Sequence, residues 1–270
     1  MAAAYASSSI FRARERLVDL FQRAVVAALR TGPIPRHVAF VMDGNRRYAR
    51  SLGVRVVDGH VSGYYALRRV LEILYLLGVE HVTAYAFAID NFKRTPEEVD
   101  ALMSLAQDRL IEFCEHGGVL REYGVRLVAV GNISLCPPGV QDAIRRAEEM
   151  TKDNTRAVFN LCISYASRDE ITTAVNTTVN EKLASQSPTP ITVADLDAHM
   201  MTARGNSPPL DIFVRTSGVL RLSDFLLWQC NEDTQIQFIR RYWPEIGLLD
   251  IIPILLDYQR KVWSKPASES

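Results

Sequence analysis

His37-Val-Ala-Phe-Val-Met-Asp-Gly-Asn-Arg-Arg-Tyr-Ala49 is the stretch around which the rest of the chain is organised. Its first half, Val38 to Met42, is a short apolar run of the kind that forms a buried strand. The run breaks sharply into Asp43, Gly44, Asn45, Arg46 and Arg47. Gly44 lets a backbone come close to a ligand, and the two arginines offer fork-shaped donors to phosphate oxygens. Asp43 can hold a hard cation such as Mg²⁺ between them. Asp-Gly is also a common turn dipeptide, so a surface turn with solvated charges is the competing reading of the stretch taken alone.

The pattern repeats outward from this point. Asp58-Gly59-His60 precedes a strongly helical run, Val61 to Leu77, closed by Gly78. The reading puts His60 near the start of that helix, where free N–H groups favour anions. Val79 to Ala88 is the next strand, and it exits into Asn91-Phe-Lys-Arg94. Thr95-Pro-Glu-Glu then caps a largely apolar helix through Leu102, Leu105, Leu110 and Phe113. Val125 to Val130 leads to Gly131-Asn132, and Pro137-Pro138 opens a polar helix to Lys152. Ala157 to Tyr165 leads to Ser167-Arg168-Asp169-Glu170 and another helix. Residues 182–190 read as a surface loop and Val193 to Met201 as a short helix, and Asp211 to Val214 leads to Arg215-Thr-Ser-Gly218. Alternating strands and helices predict an α/β fold, a mostly parallel central sheet with helices on both faces. Right-handed crossovers then gather Asp43, Asn91 with Arg94, Asn132, Arg168 and Arg215 along one edge.

Composition sets the outer limits. With 270 residues, 48% of them hydrophobic, the chain can bury one large α/β core, and no Pro/Gly/Ser-rich linker divides it. Lys and Arg balance Asp and Glu at 31 each, so no basic field points to nucleic acid and any anion site is local. Cys114, Cys136, Cys162 and Cys230 are scattered without CxxC spacing and read as reduced, buried residues. No apolar run reaches the ~18 residues a membrane span needs, and residues 1–9 lack the look of a signal peptide. Ile10, Leu17, Phe21, Val25 and Leu29 recur at intervals of four or seven among several arginines. They predict an amphipathic helix that either caps the domain or lies on a membrane surface. The expected layout is a helical segment over 1–34, a catalytic domain over 35–263 and a polar tail over 264–270.

Five motifs, in order and in register, resemble the cis-prenyltransferases and, among them, the eukaryotic dehydrodolichyl diphosphate synthases. They are His37 to Ala49; Gly59-His60 with Gly63; Asn91 to Arg94; Asn160 through Tyr165 to Arg168-Asp-Glu-Ile171; and Arg215-Thr-Ser-Gly with Arg221-Leu-Ser-Asp-Phe-Leu-Leu-Trp-Gln229. The resemblance runs to Trp243-Pro244-Glu245. It implies a fold with an apolar tunnel and a Mg²⁺-dependent transferase that adds isopentenyl diphosphate to farnesyl diphosphate with cis geometry, supplying dolichol synthesis and protein glycosylation. It assigns catalytic roles to Asp43, Asn45, His60 and Asn91, with Asp43 also the metal ligand. It assigns substrate binding to Gly44, Arg46, Arg47, Arg94, Arg215, Arg221 and Ser223. The apolar helices 61–77 and 97–113 become the tunnel walls.

Several positions depart from the family pattern. Val219 stands where many members have glutamate, Thr234 where bacterial members offer Mg²⁺ a glutamate, Ala88 for a serine, and Val56 for an arginine. No Arg-x-Gly follows Trp243, whereas homodimeric members complete the isopentenyl diphosphate pocket with such a tail. The resemblance therefore implies a hetero-oligomer in which a related, non-catalytic subunit supplies Arg-x-Gly. Leu226 to Trp228 and Leu248 to Leu256 are candidate interface or core. It also implies peripheral attachment to the cytosolic face of the endoplasmic reticulum membrane. A non-catalytic prenyltransferase-like subunit is the alternative, against which stand Asp43, Asn45, Arg47, Arg215 and Arg221. A nucleotide-binding α/β protein lacks its GxGxxG or P-loop.

Overall fold

The computed structural model describes residues 22–115, 118–186 and 189–264. A helix over residues 22–29 (α1) leads to β1 (His37–Val41), α2 (Asn45–Ser51), α3 (Val56–Leu77) and β2 (His81–Ala88). Next come α4 (Pro96–Cys114), α5 (Val119–Glu122), β3 (Val125–Val130), α6 (Pro138–Thr151) and β4 (Ala157–Tyr165). The last are α7 (Ser167–Ala184), α8 (Val193–His199), β5 (Ile212–Arg215), β6 (Gln235–Phe238) and α9 (Leu248–Ser264). The six strands lie in the order β3-β4-β2-β1-β5-β6, and every neighbouring pair is parallel. The α/β architecture expected from the alternating pattern is present, with a sheet parallel throughout.

The strands are buried on both faces, as their near-continuous apolar runs require. Val38, Phe40, Val82, Ala84, Phe159, Leu161 and Val214 face the larger core with α3, α4, α6 and α9. Ala39, Val41, Val158, Cys162 and Phe213 face a smaller one closed by Phe225 and Leu226. Trp243 is 1% exposed, packs tilted against Phe40 with ring centres 5.7 Å apart, and donates its indole N–H to the Gly63 carbonyl at 2.8 Å. That bond ties the chain after β6 to α3, directly beneath the β1 exit.

Local signals explain the element ends. Thr95 caps α4 by accepting from the Glu98 N–H, and Gly78, at φ 98°, ends α3 in the left-handed conformation. Three local expectations change. β6 was hidden in the sequence because it alternates the wrong way: Gln235 is buried and donates to the Ile254 carbonyl at 3.2 Å, while Ile236 is 39% exposed. α7 continues two residues past Lys182 before the loop begins, and α8 gives way to a 3-10 turn over Met201–Gly205. Leu226 is core, Leu227 is exposed, and Trp228 donates to Asp197 at 2.7 Å.

Most of the expected N-terminal amphipathic helix lies outside the described residues. In its last two turns Val26 and Leu29 are buried, and Gln259 of α9 donates to the Leu29 carbonyl at 2.7 Å. Among the described residues no helix is long and apolar enough to cross a membrane.

Candidate active site

β1 and β5 end side by side, with Val41 in register with Arg215. This brings the first expected exit against the last. Asp43 Oδ2 accepts from Arg215 Nη2 at 3.0 Å, and Oδ1 lies 3.4 Å from Arg47 Nη2. Arg47 also donates to the Ser217 carbonyl at 3.3 Å and to its hydroxyl. Arg215 is 3% exposed and donates from Nη1 to Ser223 Oγ at 2.6 Å and to the Arg221 carbonyl at 2.5 Å. Burial pushes the Asp43 carboxyl up, but the Arg215 hydrogen bond and the Arg215 and Arg47 charges together outweigh it. The carboxyl ends below its usual range and is ionised at neutral pH.

Gly44 is in the left-handed region at φ 112°, where a Cβ would meet the Tyr242 ring at 2.9 Å and Ser217 Cβ at 3.1 Å. α2 then crosses α3 on glycine. A Cβ at Gly63 would come within 2.4 Å of Asn45 Oδ1, and one at Gly59 within 2.4 Å of the Asn45 carbonyl. Asn45 Oδ1 is buried without a hydrogen-bond partner among the described residues, and so is His60 Nε2. α3 begins at Val56, so His60 sits in its second turn rather than at the expected N-terminus. The Arg55–Asp58 pair, three residues apart at 2.9 Å, belongs to the first turn that the sequence reading left out. Burial first, then the Arg94 charge, lowers the His60 pKa to about 4 against a smaller opposing effect of Glu98, so the imidazole is neutral.

Asn91 and Arg94 face this group from the β2 exit. Arg94 donates to Asn91 Oδ1 at 2.9 Å and to Glu98 Oε1 at 2.7 Å, and Glu98 Oε2 lies 3.6 Å from Arg46. On the other side, Ser223, Asp224 and Leu226 all adopt positive φ, 55°, 58° and 49°. Such backbone persists only where its surroundings fix it. Here Phe225 stacks on Tyr85 at 4.4 Å, Asp224 accepts from the Ser167 N–H at 2.8 Å, and Arg168 pairs with Asp224 at 2.9 Å.

These groups share one cavity of about 1050 Å³. Asp43, Gly44, Asn45, Arg46, Arg47, His60, Asn91, Arg94, Arg215, Arg221 and Ser223 all line it. Of the five exits expected to converge, Arg168 is also there and Asn132 is not, because β3 is an outer strand with β4 between it and the centre. Below the polar mouth the lining turns apolar, with Leu67 of α3, Leu102, Ala106, Leu110 and Phe113 of α4, and Phe159 of the sheet. Along β4 the lining runs from Ile163 to Phe159, four strand residues or about 13 Å.

Sequence reasoning missed several partners. Ser217 and Tyr242 seat Arg47, whose guanidinium carbon lies 5.7 Å from the Tyr242 ring centre. Glu98 couples Arg94 to Arg46, and Asp90 and Asp224 complete the rim beside the expected Arg168. Ser217 lies within the quoted Arg215-Thr-Ser-Gly motif and Tyr242 adjoins Trp243-Pro-Glu, which was the available signal. Among the described residues no three His, Cys, Asp or Glu side chains stand together as a metal cage. Mg²⁺ is commonly held by one or two carboxylates plus substrate phosphates, and Asp43 suits that mode. Its two oxygens offer about four lone-pair positions, only some of which the arginines use. One ionised carboxylate between guanidinium groups, above an apolar channel, can hold anionic headgroups while a hydrocarbon tail lies in the channel.

Known proteins share this arrangement. The family model described as "Putative undecaprenyl diphosphate synthase" matches residues 41–264. A dehydrodolichyl diphosphate synthase complex subunit of Schizosaccharomyces pombe is 42% identical over 245 residues, covering 90% of this chain and 91% of that protein. A complex subunit of the same description from Homo sapiens is 38% identical over 249 residues, covering 91% and 73%. The crystal structure of lavandulyl diphosphate synthase from Lavandula x intermedia, in complex with dimethylallyl diphosphate, superposes with a TM-score of 0.78 at 31% identity, over 83% of this chain and 95% of that one. A probable undecaprenyl diphosphate synthase from Campylobacter jejuni gives 0.69 at 26% identity, over 84% and 96%.

Proposed function

The chain belongs to the undecaprenyl diphosphate synthase family of cis-prenyltransferases, and from that premise we propose that it elongates farnesyl diphosphate with isopentenyl diphosphate to make a dehydrodolichyl diphosphate for dolichol synthesis and protein glycosylation. Relatives at 35–42% identity carry the dehydrodolichyl diphosphate synthase description. The observation that carries the reading is the single cavity whose guanidinium-rich mouth opens onto an apolar channel.

In this reading the allylic C–O bond breaks, the homoallylic alkene of isopentenyl diphosphate attacks the allylic carbon, and a proton leaves to give the new cis double bond. Asp43, Gly44, Asn45, Arg46 and Arg47 hold the allylic diphosphate. Asp43 would be the residue to hold Mg²⁺, which would supply charge neutralisation to the leaving diphosphate. Arg215, Arg221 and Ser223 hold isopentenyl diphosphate one strand away, and Asn91 with Arg94 lies by the condensation point. His60 presents a neutral ring whose Nε2 is free for the allylic diphosphate or the reacting carbon. Much of the rate advantage comes from charge stabilisation of the departing diphosphate and from holding two reactants in register.

The names of several relatives as complex subunits support a hetero-oligomer. The partner we propose is a related, non-catalytic subunit whose Arg-x-Gly tail completes the isopentenyl diphosphate pocket beside Val219. Starter and product both carry lipid tails, and an apolar and basic N-terminal segment suits peripheral attachment to the cytosolic face of the endoplasmic reticulum. Deleting residues 1–30 then shifts the protein toward the soluble fraction.

The test is incubation with labelled isopentenyl diphosphate, farnesyl diphosphate and Mg²⁺, with and without the partner subunit, followed by product sizing. A ladder of five-carbon steps that needs the partner supports the reading. No incorporation with the partner present refutes the activity, and a full ladder from the isolated chain refutes the partner requirement.

A further inference from the structure

α4 lines the cavity along one stripe, Leu102, Met103, Leu105, Ala106, Arg109, Leu110 and Phe113. The spacing is that of a single helix face, and six of the seven residues are apolar. Arg109 is the exception. Every other charged lining residue comes from a strand exit, from α2 or from the opening turns of α3, and so belongs to the mouth. Arg109 lies eleven residues beyond Glu98, about 16 Å further along the helix, beside Leu110 and Phe113, where the channel ends against Phe159.

Its surroundings hold it loosely. The guanidinium carbon is 5.1 Å from the centre of the Tyr64 ring, on the facing helix α3. Its Nη1 donates to Glu112, and burial and the nearby Glu112 both push the Tyr64 hydroxyl pKa up. Nε is buried with no partner among the described residues. The side chain remains 32% exposed, and that of Glu112 38%, so one end faces water and the other the channel. A cation over an aromatic face and a half-exposed ion pair are each modest interactions, and a long side chain so held can swing outward. An apolar chain that grew against it would strip water from a cation in an apolar wall, which is unfavourable.

We propose that Arg109, laid over Tyr64 and tethered by Glu112, is a polar stop at the deep end of the channel that limits the length of the prenyl product. The chain lengthens freely down the apolar stripe until its tail meets the guanidinium. Further additions then require Arg109 to leave Tyr64 for solvent. This inference rests on the elongation activity proposed above and adds a residue that determines product specificity.

The experiment sizes the products of the wild-type complex, Arg109→Ala and Glu112→Gln from labelled isopentenyl diphosphate and farnesyl diphosphate in one assay. Arg109→Ala is expected to shift the distribution toward longer products. Glu112→Gln, which loosens the tether while leaving the cation, is expected to shift it less and in the same direction. An unchanged or shortened distribution in Arg109→Ala overturns the proposal. Should that variant yield no product at all, an unchanged distribution in Glu112→Gln overturns it and a lengthened one supports it. Absence of incorporation by the wild-type complex would instead count against the elongation activity, so the two failures are distinct.

Discussion

Two histidines, His37 buried in the sheet and His60 half-buried on α3 at the cavity mouth, have opposite hydrogen-bonding status. His37 opens β1 and has both ring nitrogens engaged. Nδ1–H donates to the Pro208 carbonyl at 2.9 Å, so in the neutral ring Nε2 accepts from the Thr83 hydroxyl at 2.7 Å. Asn160 in turn donates to Thr83 at 3.0 Å. His60, at the cavity mouth, keeps Nε2 buried without a partner among the described residues. Burial lowers both pKa values to about 4, so titration behaviour does not separate them. Geometry does: one imidazole fixes the backbone, and the other holds a hydrogen-bonding site in reserve, beside Asn45 Oδ1, which is also unpartnered. Buried polar groups are normally paired, and a cluster of unpaired ones lining a cavity marks where a ligand supplies the partner.

The contrast breaks most visibly at Asp43. As a half-exposed carboxylate at a strand exit it contributes little packing, whereas losing its charge beside a leaving diphosphate should cost about 3 kcal/mol or more in the barrier. Asp43→Ala is expected to fold with a modestly lowered thermal midpoint, because Arg215 loses its carboxylate partner, while kcat falls by about 10²-fold or more. Near-normal elongation would remove the mouth from the chemistry.

The two arginines proposed to hold isopentenyl diphosphate sharpen the picture. The sequence alone makes them equivalent, and the structure does not. Arg221 is exposed, and Arg221→Ala should mainly raise KM for isopentenyl diphosphate, by roughly tenfold for a charge-assisted hydrogen bond. Arg215 is buried against Asp43, so Arg215→Ala should lower kcat as well as raise that KM. Steady-state kinetics with each substrate varied in turn decide it, and identical patterns for the two variants would argue against the shared Asp43–Arg215 contact.

Gly63 probes the packing beneath the mouth. Its missing Cβ leaves room for Asn45 Oδ1 and Trp243, so Gly63→Ala should cost about 1–3 kcal/mol in urea unfolding through overpacking and displace Asn45 with loss of turnover. A stable, fully active variant would show that α2 and α3 need no such close approach.

The smallest effects return to the histidines. His37→Gln should destabilise by about 1–3 kcal/mol at pH 7, because it disturbs satisfied buried partners, and His60→Gln by less. The folded state keeps both rings neutral down to about pH 4, while the unfolded chain protonates them near 6.5. The unfolded state therefore binds more protons between these values, and stability rises with pH across that window. Asp43 acts lower, its depressed pKa giving stability that is present above about pH 3.9 and lost below it. Urea midpoints from pH 4 to 7 should slope upward in the wild type and less steeply in either histidine variant.

Much of the mouth was legible because each strand exit concentrates residues that a plain turn does not need. Asp43 to Arg47 follows five buried strand residues, and Arg215 ends another. The parallel order of strands follows from alternation alone, and it brings these exits together. β6 was not legible, since its buried face carries glutamines, nor was the start of α3, which runs through Arg55 and Asp58 without a capping side chain. The channel was legible only as apolar helices suited to be its walls. A leucine facing a cavity and a leucine facing a core have the same spacing, so the pattern does not tell Leu102 or Leu110 from a core leucine. Nothing in the sequence sets Arg109 apart from the other charges of that helix.

The division between a charged mouth that runs the reaction and an apolar depth that stores its product is tested most directly by one product ladder. Labelled isopentenyl diphosphate is incorporated onto farnesyl diphosphate by the wild-type complex, by Asp43→Ala and by Ala106→Phe, and the products are sized side by side. The account predicts that Asp43→Ala removes the ladder almost entirely, whereas Ala106→Phe, which fills the channel halfway along α4, truncates it at shorter products. A ladder of wild-type intensity from Asp43→Ala, or one of wild-type length from Ala106→Phe, would contradict it.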